Sequence, residues 1–118
     1  MSAYASCTDV PDSLRREGDE VVLVKRIAAD EPYLSGHFPG DPVYPGVFLI
    51  DLCLKMVPEL SGAAADRFTL RSVRFFRPIR PGDEITIRGS RSGAGSRFLG
   101  RTRDGTTAFT LHLSGDSA

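Results

Sequence analysis

The stretch GHFPGDPVYPGVFLIDLCLKMV, from Gly36 to Val57, decides how the chain is arranged. Its first half, Gly36 to Gly46, sets glycines and prolines on both sides of one histidine, His37. Those residues fix backbone direction around a single titratable ring. The second half predicts a helix over roughly residues 45–57. Pro45 suits the first turn, where a missing N–H costs nothing, and Pro58 predicts the stop. Between Val47 and Val57 only Asp51 and Lys55 are not apolar. A helix apolar nearly all round must be wrapped by other elements. Asp51 stands fourteen residues after His37.

Working outward, residues 20–27 (EVVLVKRI) are β-branched and apolar enough for a strand. Tyr4 to Thr8 suggests a short strand, and residues 11–19 read as a polar turn region ending near Gly18. After Asp66 the apolar period becomes two. Phe68 and Leu70 share one parity, Val73 and Phe75 the other, so a bulge or sharp bend is expected near Ser72. Pro81-Gly82, the run Ser92 to Gly95, and Asp104-Gly105 mark turns. Between them, Ile85 and Ile87, then Phe109, Leu111 and Leu113, are expected inward, and His112 outward. The layout is α+β: antiparallel strands joined by tight turns and wrapped around one helix. So small a sheet leaves edges, and pairing with a second copy is expected.

At 118 residues, the chain reads as one domain. Its net charge is zero but uneven. Residues 1–66 carry 11 acidic against 5 basic side chains, whereas residues 67–103 carry 10 arginines against Asp83 and Glu84. That asymmetry suggests a basic face for an anionic partner, or arginines spread over outer strand faces. Aromatic and basic residues do not interleave as in a nucleic-acid module. Cys7 and Cys53 form no disulfide framework or zinc spacing, and no metal site is expected. With no visible signal peptide or membrane-length apolar run, a cytoplasmic protein is expected.

The run Gly36-His37-Phe38-Pro39-Gly40-Asp41-Pro42-Val43-Tyr44-Pro45-Gly46, followed by Asp51, resembles the active-site segment of the 3-hydroxyacyl-ACP dehydratases, the FabZ/FabA group. Asp30-Glu31-Pro32-Tyr33-Leu34 and Val73-Arg74-Phe75-Phe76-Arg77-Pro78 are similar to flanking family segments, so the likeness spans roughly residues 18–114. The resemblance implies a single hot-dog domain over residues 1–118, with a dimer as the working unit.

It also implies roles. His37 would take the α-proton of the acyl thioester. Asp51, from the facing subunit, would protonate the leaving β-hydroxyl. The Gly46 and Val47 N–H groups would hold the thioester oxygen, and Tyr44 would stand at the substrate tunnel. No cofactor is implied beyond the phosphopantetheine of the acyl carrier protein (ACP), toward which Arg74, Arg77, Arg80 and Arg97 are candidates. The chemistry is consistent. Histidine is matched to proton transfer near neutrality, and a helix start stabilises an enolate-like oxygen.

Two departures stand out. Lys55 replaces the family's usual Gln one turn after the acid, in the substrate-binding region. A lysine there pairs with the acid and favours its ionised form, which opposes proton donation. The family's usual N-terminal opening is also missing. Two further hypotheses therefore stand beside a dehydratase: a non-catalytic or half-site subunit of a heterodimer with a paralogous hot-dog chain, and an acyl thioesterase.

Overall fold

The computed structural model describes residues 11–27, 46–61, 68–93 and 95–115. Among them are β1 (Ser13–Glu17), β2 (Glu20–Arg26), α1 (Gly46–Ser61), β3 (Phe68–Phe75), β4 (Glu84–Ser92), β5 (Gly95–Thr102) and β6 (Thr107–Gly115). The strands form one antiparallel sheet in the order β1-β2-β4-β5-β6-β3.

The helix lies on one face of this sheet because its apolar positions recur at helical spacing. Phe48, Leu49, Leu52, Cys53, Met56, Val57 and Leu60 are buried against Val21, Leu23, Ile85, Ile87, Phe98, Phe109, Leu111 and Leu113. Strands β2, β4, β5 and β6 contribute alternate residues to that face, as the pleat requires. A fully buried leucine such as Leu52 contributes roughly 1.5–3 kcal/mol by leaving water. Gly100 lets Phe109 lie flat across β5, since a Cβ there would sit 2.1 Å from the Phe109 Cε1. This sheet wrapped around a helix is the hot-dog fold.

Several expectations hold. Strand β2 falls where expected, Ile85, Ile87, Phe109, Leu111 and Leu113 point inward, and Gly82 and Gly105 turn the chain at φ 91° and 88°. The register of β3 against β6 shifts between Leu70 and Ser72, leaving Arg71 as the extra residue of a bulge.

Three expectations are corrected. The helix does not stop at Pro58 but runs to Ser61 with the proline inside it. Proline removes one backbone donor, and burial of Leu60 draws the last turn onto the core. The supposed polar turn at residues 11–19 contains β1, an edge strand exposed along its whole length. Such a strand needs no apolar alternation, so its sequence carries no period-two signal. Finally, β3 is not joined to β4 by a hairpin. It pairs with β6 at the far edge, and residues 76–83 carry the chain back. That segment is tied to the end of β2 by Ile27 N donating to Asp83 O at 2.9 Å and Gly82 N to Ile27 O at 2.7 Å. The proposed strand at Tyr4 to Thr8 lies outside the described residues.

Candidate functional site

The returning segment passes the start of α1, and a cavity of about 380 Å³ opens between them. Gly46, Leu49, Phe75, Phe76, Arg77 and Pro78 are among its walls. Glycine is required at 46 by close approach: a Cβ there would sit 2.8 Å from the Phe75 Cζ. The first N–H groups of a helix have no intrahelical acceptor and carry the positive end of its dipole. Gly46 and Val47 occupy those positions, so this end of the cavity suits an oxygen that gains negative charge.

Asp51 lies five residues on, about 7.5 Å along the axis at the usual helical rise. It shares the outer side of α1 with Val47 and Leu54, which are 61% and 38% exposed. Its Oδ2 is shielded from solvent and accepts no hydrogen bond. Lys55 Nζ stands 3.2 Å from that oxygen, close enough for an ion pair but not aligned as a hydrogen-bond donor. The expected pairing of Lys55 with Asp51 is therefore present.

His37 and Tyr44 lie outside the described residues. Gly46, Val47, Asp51 and Lys55 are held together by one helix. Of the arginines, Arg77 borders the cavity and also pairs with Asp104 at 3.5 Å. Arg80 belongs to the same returning segment, where its N–H donates to Asp83 Oδ2 at 2.8 Å. Arg74 and Arg97 lie opposite Thr110 and His112, on the sheet face turned away from the helix.

That outer face holds a second, larger groove of about 460 Å³, bordered by Arg88, Arg97, Thr110 and His112. It is more voluminous than the cavity at the helix start but holds none of the motif residues that are described, so the smaller cavity is the candidate site. The sequence motif did not single out the Phe75-Phe76 pair as site walls. Two adjacent aromatics at the end of an edge strand, 51% and 56% exposed, were the available signal.

Cys53 is buried, and burial pushes its thiol pKa far up, so it packs as a small hydrophobe and is not a nucleophile. Among the described residues no group of three or more His, Cys, Asp or Glu is placed to hold a metal ion. No helix among them is long and apolar enough to cross a membrane.

A sheet wrapped around one helix, with Asp51 on the outer helix side, places the chain in the hot-dog class. Within it, the ApeI-like family model, described as ApeI dehydratase, matches residues 13–110, and the chain belongs to that family. A FabZ 3-hydroxyacyl-ACP dehydratase of Ligilactobacillus salivarius is 32% identical over 108 residues, covering 82% of this chain and 77% of that protein. The FabZ of Syntrophobacter fumaroxidans is 32% identical over 83 residues, covering 64% and 56%. The chain thus spans between about half and three quarters of the length of such curated relatives. Among solved structures, the dehydratase heterocomplex ApeI:P from Xenorhabdus doucetiae has the same fold, with a TM-score of 0.72, 19% identity and coverage of 89% and 95%.

Proposed function

We propose that the chain dehydrates 3-hydroxyacyl thioesters carried on ACP to 2-enoyl thioesters, in fatty-acid or polyketide-type synthesis, at a site completed by a second hot-dog chain. The observation that carries this is the shielded, donor-free Oδ2 of Asp51 on a helix side that stays uncovered in one copy. Family membership and the FabZ relatives support the reaction class.

In the proposed reaction His37 removes the α-proton, and the negative charge that develops on the thioester oxygen is met by the helix-start N–H groups. The β C–O bond breaks as Asp51 gives a proton to the departing hydroxyl, which leaves as water. Solvent then returns the proton from His37 to Asp51. No cofactor enters. Val47, Leu54, Phe75 and Phe76 form the apolar surround that a second chain would close, excluding bulk water from the site. Arg77, in the cavity wall, and Arg80, farther along the same returning segment, are the carrier-facing arginines in this reading. Arg74 and Arg97, on the far face, are not.

The test is incubation of the purified chain with a 3-hydroxyacyl-ACP, following loss of water by mass. Turnover is expected, and is expected to vanish in His37→Ala and Asp51→Asn. Absence of turnover under all conditions, including with a hot-dog partner added, would refute the reading.

A second reading, a half-site subunit in a heterodimer, is favoured by one contact. The Lys55 ammonium 3.2 Å from Asp51 competes with a substrate hydroxyl for that carboxylate. The similar Xenorhabdus protein belongs to a heterocomplex, which fits this arrangement. Activity that appears only with a paralogous partner would select it.

A further inference from the structure

The sheet face turned away from α1 presents its outward residues in rows across five strands. Glu20 stands opposite Ser90, Ser90 opposite Arg97, Arg97 opposite His112, and His112 opposite Ser72. The next row on the same face runs through Arg88, Leu99, Thr110 and Arg74. Neighbouring strands are about 4.8 Å apart, so side chains adjacent in a row can reach one bound group. The groove of about 460 Å³ lies over these rows.

Charge in the groove is settled at one end and open in the middle. Arg88 pairs with Glu17 at 3.1 Å and with Glu20 at 3.2 Å. Arg97 is exposed and His112 half-buried, and neither has a hydrogen-bond or ion-pair partner among the described residues. Glu20 is the one carboxylate among the described lining residues, and it stands two strands from Arg97. An arginine, an imidazole and the hydroxyls of Ser90 and Thr110 thus share the groove wall without an anion to match them. Such donors suit a tetrahedral oxyanion, and the planar guanidinium meets two phosphate oxygens at once.

Size and polarity choose the occupant. The volume falls within the range of small-molecule sites, about 300–1,000 Å³. A protein partner needs an apolar centre to its contact. Leu99 is the one apolar side chain among the described lining residues that faces outward, since Phe98 and Leu111 belong to the core. A single-stranded nucleic acid needs aromatic rings to stack on, and none of the described lining residues turns a Phe or Tyr outward. A small phosphate ester meets both features, because Leu99 is the next outward residue after Arg97 on β5.

We infer that the outer groove binds a phosphorylated small molecule, with its phosphate on Arg97, His112, Ser90 and Thr110 and its organic part against Leu99. The groove is on the opposite side of the sheet from the helix, so this binding is separate from the acyl site proposed above.

The probes are phenyl phosphate, inorganic phosphate and phenol, titrated by calorimetry into the full chain at low salt and without acyl substrate. The result is therefore independent of whether the chain dehydrates anything. Phenyl phosphate should bind saturably, inorganic phosphate several-fold more weakly because it has nothing to set against Leu99, and phenol not at all. Arg97→Gln should weaken phenyl phosphate at least about tenfold, the scale of a lost charge-assisted hydrogen bond. His112→Gln should weaken it less, and Arg77→Gln, at the cavity beside the helix start, should leave it unchanged. Circular dichroism establishes that each variant is folded. Phenyl phosphate should also shift the ring proton signals of one of the chain's two histidines, signals that are missing from His112→Gln. The inference is overturned if phenyl phosphate does not bind saturably, if phenol or inorganic phosphate binds as tightly as the ester, or if binding survives Arg97→Gln.

Discussion

Strands β1 and β3 close the same sheet on opposite sides, and both are exposed edges rich in arginine. On β1 the charges are settled within the chain. Arg15 pairs with Glu17 at 2.7 Å, Glu17 also meets Arg88 at 3.1 Å, and Arg16 donates to the Glu59 carbonyl at the end of α1. On β3, Arg71 and Arg74 meet no carboxylate among the described residues, and Leu70, Phe75 and Phe76 stand exposed nearby on the same edge. A short, charged edge is blunted against further pairing, whereas an edge with exposed apolar groups is one that gains by being covered. The candidate site lies on the β3 side, where Phe75 covers the start of α1. Chemistry and association are therefore expected there and not at β1.

The largest expected effect is on that chemistry. Asp51→Asn should lower dehydration by roughly a hundredfold or more, as loss of a general acid does, while Glu17→Gln on β1 leaves the rate unchanged; steady-state rates check both. Next comes the packing that joins β3 to the helix. Gly46→Ala forces its new methyl group into the Phe75 ring and should cut turnover with only a modest loss in melting temperature. Gly100→Ala, which drives a methyl group into Phe109 in the core, should instead destabilise the fold by about 1–3 kcal/mol in denaturant titration.

The smallest effects are in acid. Hydrogen bonds from Arg15, and then Arg88, hold the Glu17 pKa below its ordinary 4.5. The Thr102 hydroxyl first, then the Thr106 backbone N–H, hold Asp104 from 3.8 down to about 2. A depressed carboxylate pKa stabilises the fold above the unfolded value, and that stability is lost as pH falls through the folded value. Melting temperature should therefore decline below about pH 4. Asp104→Asn should flatten the part of that decline reaching toward pH 2, and Glu17→Gln should flatten part of it below the ordinary glutamate value.

Much of this comparison could be read from residue order. The apolar run around Asp51 required a wrapped helix, and the slip in parity at Ser72 required the β3 bulge. Edge strand β1 was invisible because a strand exposed on both faces leaves no alternation. The extra helical turn past Pro58 was hidden because a local breaker was outweighed by burial of Leu60. Non-adjacent pairing of β3 with β6 is a long-range fact that no local pattern encodes. At the site, the positions of Gly46, Asp51 and Lys55 followed from the motif. The donor-free Oδ2 and the cover of Gly46 by Phe75 depend on tertiary packing and emerged only in three dimensions.

The central claim is that the Asp51 side of α1 works only when a second chain covers it. The direct measurement is loss of water from a 3-hydroxyacyl-ACP as a function of chain concentration, for wild type and Asp51→Asn. Specific activity that rises with wild-type concentration, in step with association seen by sedimentation, and that is absent from Asp51→Asn, is the result predicted. Specific activity that stays constant down to concentrations where the chain sediments as a single copy, or that survives in Asp51→Asn, would contradict it.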